Sequence, residues 1–125
     1  MKKALLYFIA LSASVITACK KGDTGGDASI SAHVKHHATS INLPTVYVKF
    51  DAKELPSDPT NNYDLKIVGT DGDHVHIHGL RYGNYYLYAT GYDSTIMMPV
   101  AGGIPIKIKW GDRKKEMEIT IPVVE

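Results

Sequence analysis

The sequence holds a single cysteine, Cys19, in 125 residues. No disulfide can therefore close within the chain, and a small scaffold stapled by several bridges is excluded. Charge of either sign is not in excess either: 14 basic residues stand against 13 acidic ones. That balance leaves no basic stripe for phosphate neutralisation, so nucleic acid is not an expected partner. Long apolar runs are missing too. The longest, residues 4–18, is fifteen residues and too short to cross a hydrocarbon core of about 30 Å. Past residue 30 there is no 3.6-residue apolar stripe of useful length. Nor is there a Gly-x-Ser-x-Gly elbow, a His-Glu-x-x-His zinc helix or a glycine loop that cradles phosphate. Asp71-Gly72-Asp73 lacks the further oxygen donors of a calcium loop and reads as a turn. These absences predict one domain and no enzyme activity.

What is present begins with an address. Lys2 and Lys3 form a positive start ahead of the apolar run, the pattern of a secretory signal. The run ends Val15-Ile16-Thr17-Ala18-Cys19, which resembles the lipobox of bacterial lipoproteins. The resemblance implies a diacylglycerol on the Cys19 thiolate, removal of residues 1–18, and retention by palmitate-type acyl chains. Each buried methylene contributes about 0.8 kcal/mol, so several chains anchor where one does not. Lys20 after the cysteine, by resemblance to envelope sorting patterns, implies the outer membrane. Losing Lys2 and Lys3 with the leader turns the net charge from +1 to −1. Residues 19–29 then read as the lipidated cysteine and a glycine-rich flexible linker with a span of about 17 Å. The folded domain is expected over 30–125.

Within that domain, β-branched residues recur with period two and seven of the chain's eight tyrosines are found, which favours strands. Ile30, Ala32 and Val34 share one face of a first strand, and Val46, Val48 and Phe50 share a face of a second. Residues 63–68 and 74–78 are predicted to form a hairpin around Asp71-Gly72, since glycine accepts positive φ at low cost. Tyr85, Leu87 and Ala89 point inward from the next strand, with Tyr86 and Tyr88 outward. A final pair, 104–110 and 117–123, is expected around Gly111-Asp112. About seven strands, each with one apolar face, require a second sheet, so the predicted class is an all-β, immunoglobulin-like sandwich.

Residues 71–93, DGDHVHIHGLRYGNYYLYATGYD, carry a glycine turn, an alternating strand, Leu-x-x-Gly at Leu80 and Gly83, and Tyr-x-Leu-x-Ala at Tyr85, Leu87 and Ala89. This segment resembles carboxypeptidase regulatory-like, or transthyretin-like (prealbumin-like), domains. The resemblance implies their sandwich and an accessory role as a binding or structural module. It does not imply the hydroxyisourate hydrolase branch, because the chain ends Ile121-Pro122-Val123-Val124-Glu125 rather than Tyr-Arg-Gly-Ser.

Two surfaces are candidates for function. His74, His76 and His78 alternate along one strand and project from one face. Imidazole nitrogens near 2.0 Å suit zinc or copper, with a further ligand drawn from a neighbouring strand because the outer pair lies about 13 Å apart. Asp64 is the carboxylate expected beside them, with Lys66 as a nearby repelling charge. A solvated polar face explains the same pattern. So does a pH sensor whose imidazoles repel when protonated. The second surface is Tyr86 and Tyr88, whose rings suit an envelope protein or a glycan, or equally pack across strands. Met97-Met98 suggests soft copper(I) ligands or, more simply, gap-filling in a core.

Overall fold

The computed structural model describes residues 23–125. The leader and Cys19 lie outside the described residues. Eight strands follow: β1 Thr24–His36, the two-residue β2 Thr39–Ser40, β3 Thr45–Phe50, β4 Leu65–Val68, β5 His74–Leu80, β6 Gly83–Asp93, β7 Met98–Ile108 and β8 Glu116–Pro122. One sheet is centred on β1, with β5 and the short β2 antiparallel to it and β8 parallel to it. The other runs β4-β3-β6-β7, antiparallel throughout. The all-β sandwich expected from the alternation is the fold.

The inward positions are the expected ones. Ile30, Ala32 and Val34 of β1 meet Val46 and Val48 of β3 and Tyr85, Leu87 and Ala89 of β6 in one buried core. Period-two apolar residues can be buried only if a second sheet covers each inner face, and here the two inner faces cover each other.

Three connections differ from the sequence expectation. Residues 63–68 and 74–78 do not form a hairpin: β4 belongs to the β3 sheet and β5 to the β1 sheet, so the Asp71-Gly72 turn carries the chain from one sheet to the other. Gly72 does adopt positive φ, +69°. The final pair is likewise split, β7 joining β6 and β8 joining β1, and Trp110–Asp112 between them is a 3-10 turn rather than strand. Turn residues report that the chain reverses; they do not report which sheet it enters next.

The third difference is at the start. The linker expected over 19–29 is strand from Thr24 onward, and Ala28 is fully buried. Gly26 serves a close approach to β5 rather than flexibility: a side chain there would collide with the Leu80 carbonyl. Asp23 is fastened as well. Its carbonyl accepts the Arg81 amide at 2.8 Å, and its amide donates to the Tyr85 hydroxyl at 3.0 Å. That hydroxyl in turn donates to the Arg81 carbonyl at 2.7 Å. Burial pushes the Tyr85 phenol up to about 12, so it remains a donor.

The sandwich thus has two poles. At one lie Asp23, Arg81, Gly83 and Trp110; at the other lie His36, Asp93 and Glu125. The carboxy terminus closes the second pole, where the Val123 amide donates to the Lys35 carbonyl at 3.0 Å and Val124 exchanges two hydrogen bonds of 2.9 Å with Ala101.

Candidate metal centre on the histidine face

The outer face of the β1 sheet carries the histidines. His74, His76 and His78 line up along β5 as expected, with centroid separations of 5.0 Å for the first pair and 5.9 Å for the second. The register adds a residue that the strand pattern alone did not select. His33 of β1 lies directly opposite His74, their rings 5.5 Å apart. Ser31, opposite His76, is small, and beyond it stand Glu116 and Glu118 of β8. The His76 Nδ1 stands 3.8 Å from Glu116, and the His33 Nε2 stands 3.8 Å from Glu118.

The carboxylate nearest this face is Asp73, not Asp64. Asp64 sits beside β3 in the other sheet, accepting the Phe50 amide at 2.7 Å and pairing with Lys49 at 3.7 Å. The expectation failed because it rested on the β4–β5 hairpin that does not form. Asp73 is placed by its backbone, whose carbonyl accepts the Val34 amide at 3.1 Å, immediately after the Gly72 turn. A hydrogen bond from the Ser40 hydroxyl, then the neighbouring His33, hold its carboxyl below the usual carboxylate range.

These placements bring three donors together. Asp73 Oδ1 lies 3.5 Å from His33 Nδ1 and 3.6 Å from His74 Nδ1, and the three ligand atoms fall within 4.8 Å of one another. Two donors bound to a tetrahedral zinc ion at 2.0–2.1 Å stand about 3.3 Å apart, so both histidine–carboxylate distances are near ligand spacing, while the two imidazole nitrogens lie within 4.8 Å of each other. The set is two imidazoles and one carboxylate, half-buried. Glu118 lies on the side of the second nitrogen of His33, at 3.8 Å and without a hydrogen bond to it. A groove of about 360 Å³, lined by Val68, Thr70, Asp71, His74 and His76 among others, opens beside the cluster. His76 and His78 lie farther along β5 and take no part in the three-donor group, so of the three histidines expected to hold a metal only His74 belongs to it.

A second histidine cluster has a different character. His36, His37 and Glu125 also bring ligand atoms within 4.8 Å, but both nitrogens of His36 are already held. Nδ1 lies 2.7 Å from Asp93 and Nε2 lies 2.8 Å from Glu125. The two carboxylates raise the imidazole pKa, Asp93 contributing most, and so favour the imidazolium. Asp93 itself accepts the Thr95 amide at 2.8 Å and hydroxyl at 2.5 Å, and these with His36 lower it to about 2. This is a closed ionic network rather than a site for an ion.

The tyrosine surface is largely occupied. Tyr86 and Tyr88 point outward from β6 but are half-buried among Tyr47, Pro56, Pro59 and Tyr63, and Tyr86 lies over Gly103 of β7. Cross-strand packing explains them. Met97 and Met98 fill no gap: they are 75% and 45% exposed at the tip of the β6–β7 hairpin. Comparison of the chain with protein families, with curated proteins and with solved structures returns no match.

Proposed function

We propose that this chain is a non-catalytic lipoprotein of the bacterial envelope, acylated at Cys19, whose sandwich binds a transition-metal ion through His33, Asp73 and His74. The observation that carries the metal reading is the approach of two imidazole nitrogens to one carboxylate oxygen, at 3.5 and 3.6 Å, from opposed strands. Nitrogen and oxygen donors in this ratio suit zinc and copper(II). The non-catalytic reading rests on the lack of a recognisable catalytic motif in the sequence, and the closure of His36 between two carboxylates removes that one ring as an acceptor of a substrate proton. The lipid anchor rests on the lipobox resemblance, and the accessory character on the resemblance to transthyretin-like domains.

Titration of the mature chain with zinc and with copper, against a competing chelator, tests the metal site. Binding at micromolar affinity or tighter is expected, weakened at least about tenfold by His33→Ala or His74→Ala and less than about twofold by His78→Ala. Affinity that survives the double replacement of His33 and His74 would remove the site.

A second reading, an accessory that holds an envelope protein or glycan, is favoured by the hairpin tip rather than by Tyr86 and Tyr88. Tyr92, Ile96, Met97 and Met98 are exposed together there. A photoreactive group placed at position 97 should then yield one discrete adduct in intact envelopes, and a smear or no adduct would count against the tip.

A further inference from the structure

The fastening of Asp23 limits where the body of the protein can stand. Three residues, Lys20, Lys21 and Gly22, separate Cys19 from Asp23. Four backbone steps reach at most about 14 Å. Asp23 cannot peel away cheaply, because its backbone is bonded to both Arg81 and Tyr85. An acylated Cys19 has its glycerol at the membrane interface, so the pole that carries Asp23 must stand within that distance of the headgroups.

What that pole presents is suited to such a surface. The turn over residues 109–115 reads Lys-Trp-Gly-Asp-Arg-Lys-Lys, four basic residues against one acidic. Its lone carboxylate, Asp112, pairs with Lys115 at 3.4 Å. Trp110, at the crest, is 59% exposed. It is held rather than loose: Tyr82 meets its ring edge-on at 4.8 Å, and the Arg113 guanidinium lies 3.9 Å over the ring while donating to the Trp110 carbonyl at 2.9 Å. Trp110, Arg113 and Lys114 share a recess of about 180 Å³ with Gly25, Gly26 and Asp27, which places the turn beside the entering chain. Asp27 and Glu116 offset part of the charge of the pole, so the contact is the turn itself and not a general positive field.

We infer that this pole docks on an anionic lipid surface, with Trp110 lodged at the depth of the headgroups and Lys114 and Lys115 against lipid phosphates. Tryptophan prefers that layer because its ring is apolar and its N–H still finds a partner. Lysines near an anionic leaflet are attracted to it. The inference rests on the lipid-anchor reading. Its consequence is orientation: β1 then rises from the membrane, and because Thr24 and Ala28 both pair with Leu80 while His33 pairs with His74, His33 stands six strand residues, about 20 Å, above the docked pole.

Trp110 is the single tryptophan of the chain, so its fluorescence reports the contact without a label. The mature protein, taken from its own envelope, is first weighed to establish the acyl chains and then reconstituted into vesicles of phosphatidylethanolamine and phosphatidylglycerol. Docking predicts that lipids brominated near the headgroup quench Trp110 by at least half and that aqueous iodide quenches it little. The exchange Lys114→Glu with Lys115→Glu should at least halve the bromolipid quenching while leaving the acyl mass unchanged. A protein without acyl mass would overturn the anchor and the docking with it. An acylated, membrane-bound protein whose Trp110 ignores bromolipid and answers to iodide would overturn the docking alone. Shielding of Trp110 in whole envelopes but not in lipid vesicles would assign the turn to a protein partner and also overturn it.

Discussion

The two histidine clusters of this sandwich use the same side chain in opposite ways. At the closed pole His36 is buried and both ring nitrogens are engaged, one by Asp93 and one by Glu125. On the outer face of the β1 sheet His33 and His74 approach a carboxylate only to 3.5 and 3.6 Å, beyond hydrogen-bond length and near the spacing of ligands that share an ion. The difference shows what satisfaction costs in function. A ring whose nitrogens are both committed ties together β1, β6 and the carboxy terminus, and can do little else. Rings left a few tenths of an ångström short keep their lone pairs available to a visitor.

The largest test of this contrast is to remove one carboxylate from each cluster. Asp93→Ala strips the buried partner from His36 and leaves the Thr95 donors without an acceptor, so the melting temperature should fall by about 10 °C or more. Asp73→Ala, at the open cluster, should lower it by less than about 4 °C in the presence of chelator, since it takes away two loose histidine contacts and one hydrogen bond from Ser40 at a partly exposed site. Thermal denaturation followed by circular dichroism measures both. Equal losses would mean that the open cluster is structural after all, and the metal reading would lose its physical basis.

Much of this contrast could not be read along the chain. The inner faces were legible, because alternation at Val46, Val48, Tyr85, Leu87 and Ala89 has a direct consequence in burial. The shared face of His74, His76 and His78 was legible for the same reason. Their true neighbours were not, because a cross-strand partner is set by which strand lies alongside. Once β5 pairs with β1 rather than β4, His33 replaces Asp64 beside His74. His33 carried one usable signal, its outward place in the first alternating strand. The partnership of His36 with Asp93 and Glu125 joins residues 57 and 89 positions apart and leaves no local pattern at all. The linker was misjudged because glycine reads alike in a free tether and in a strand pressed against its neighbour, and only the Leu80 carbonyl beside Gly26 tells them apart.

The smaller test addresses the closed cluster by pH, because its imidazole and its carboxylates act with opposite sign. The raised pKa of His36 adds stability that is complete below its ordinary value of 6.5 and is lost as pH rises through the higher folded value. Asp93, lowered to about 2, and Glu125, also lowered, add stability that is complete above the ordinary carboxylate values and is lost as pH falls through the folded ones. Besides these carboxylates, His36 faces only the ring of His37, at 4.5 Å, among the aromatic and titratable neighbours of the described residues. The closed cluster should therefore give a chelator-treated protein its greatest stability between about pH 4.5 and 6.5, with a decline on the alkaline side. Urea unfolding at half-unit steps of pH should show that alkaline decline disappear in His36→Gln. A wild-type profile that instead rises from pH 6 to pH 8 would overturn the assignment, because the imidazolium of His36 held between two carboxylates would then not be what ties stability to pH.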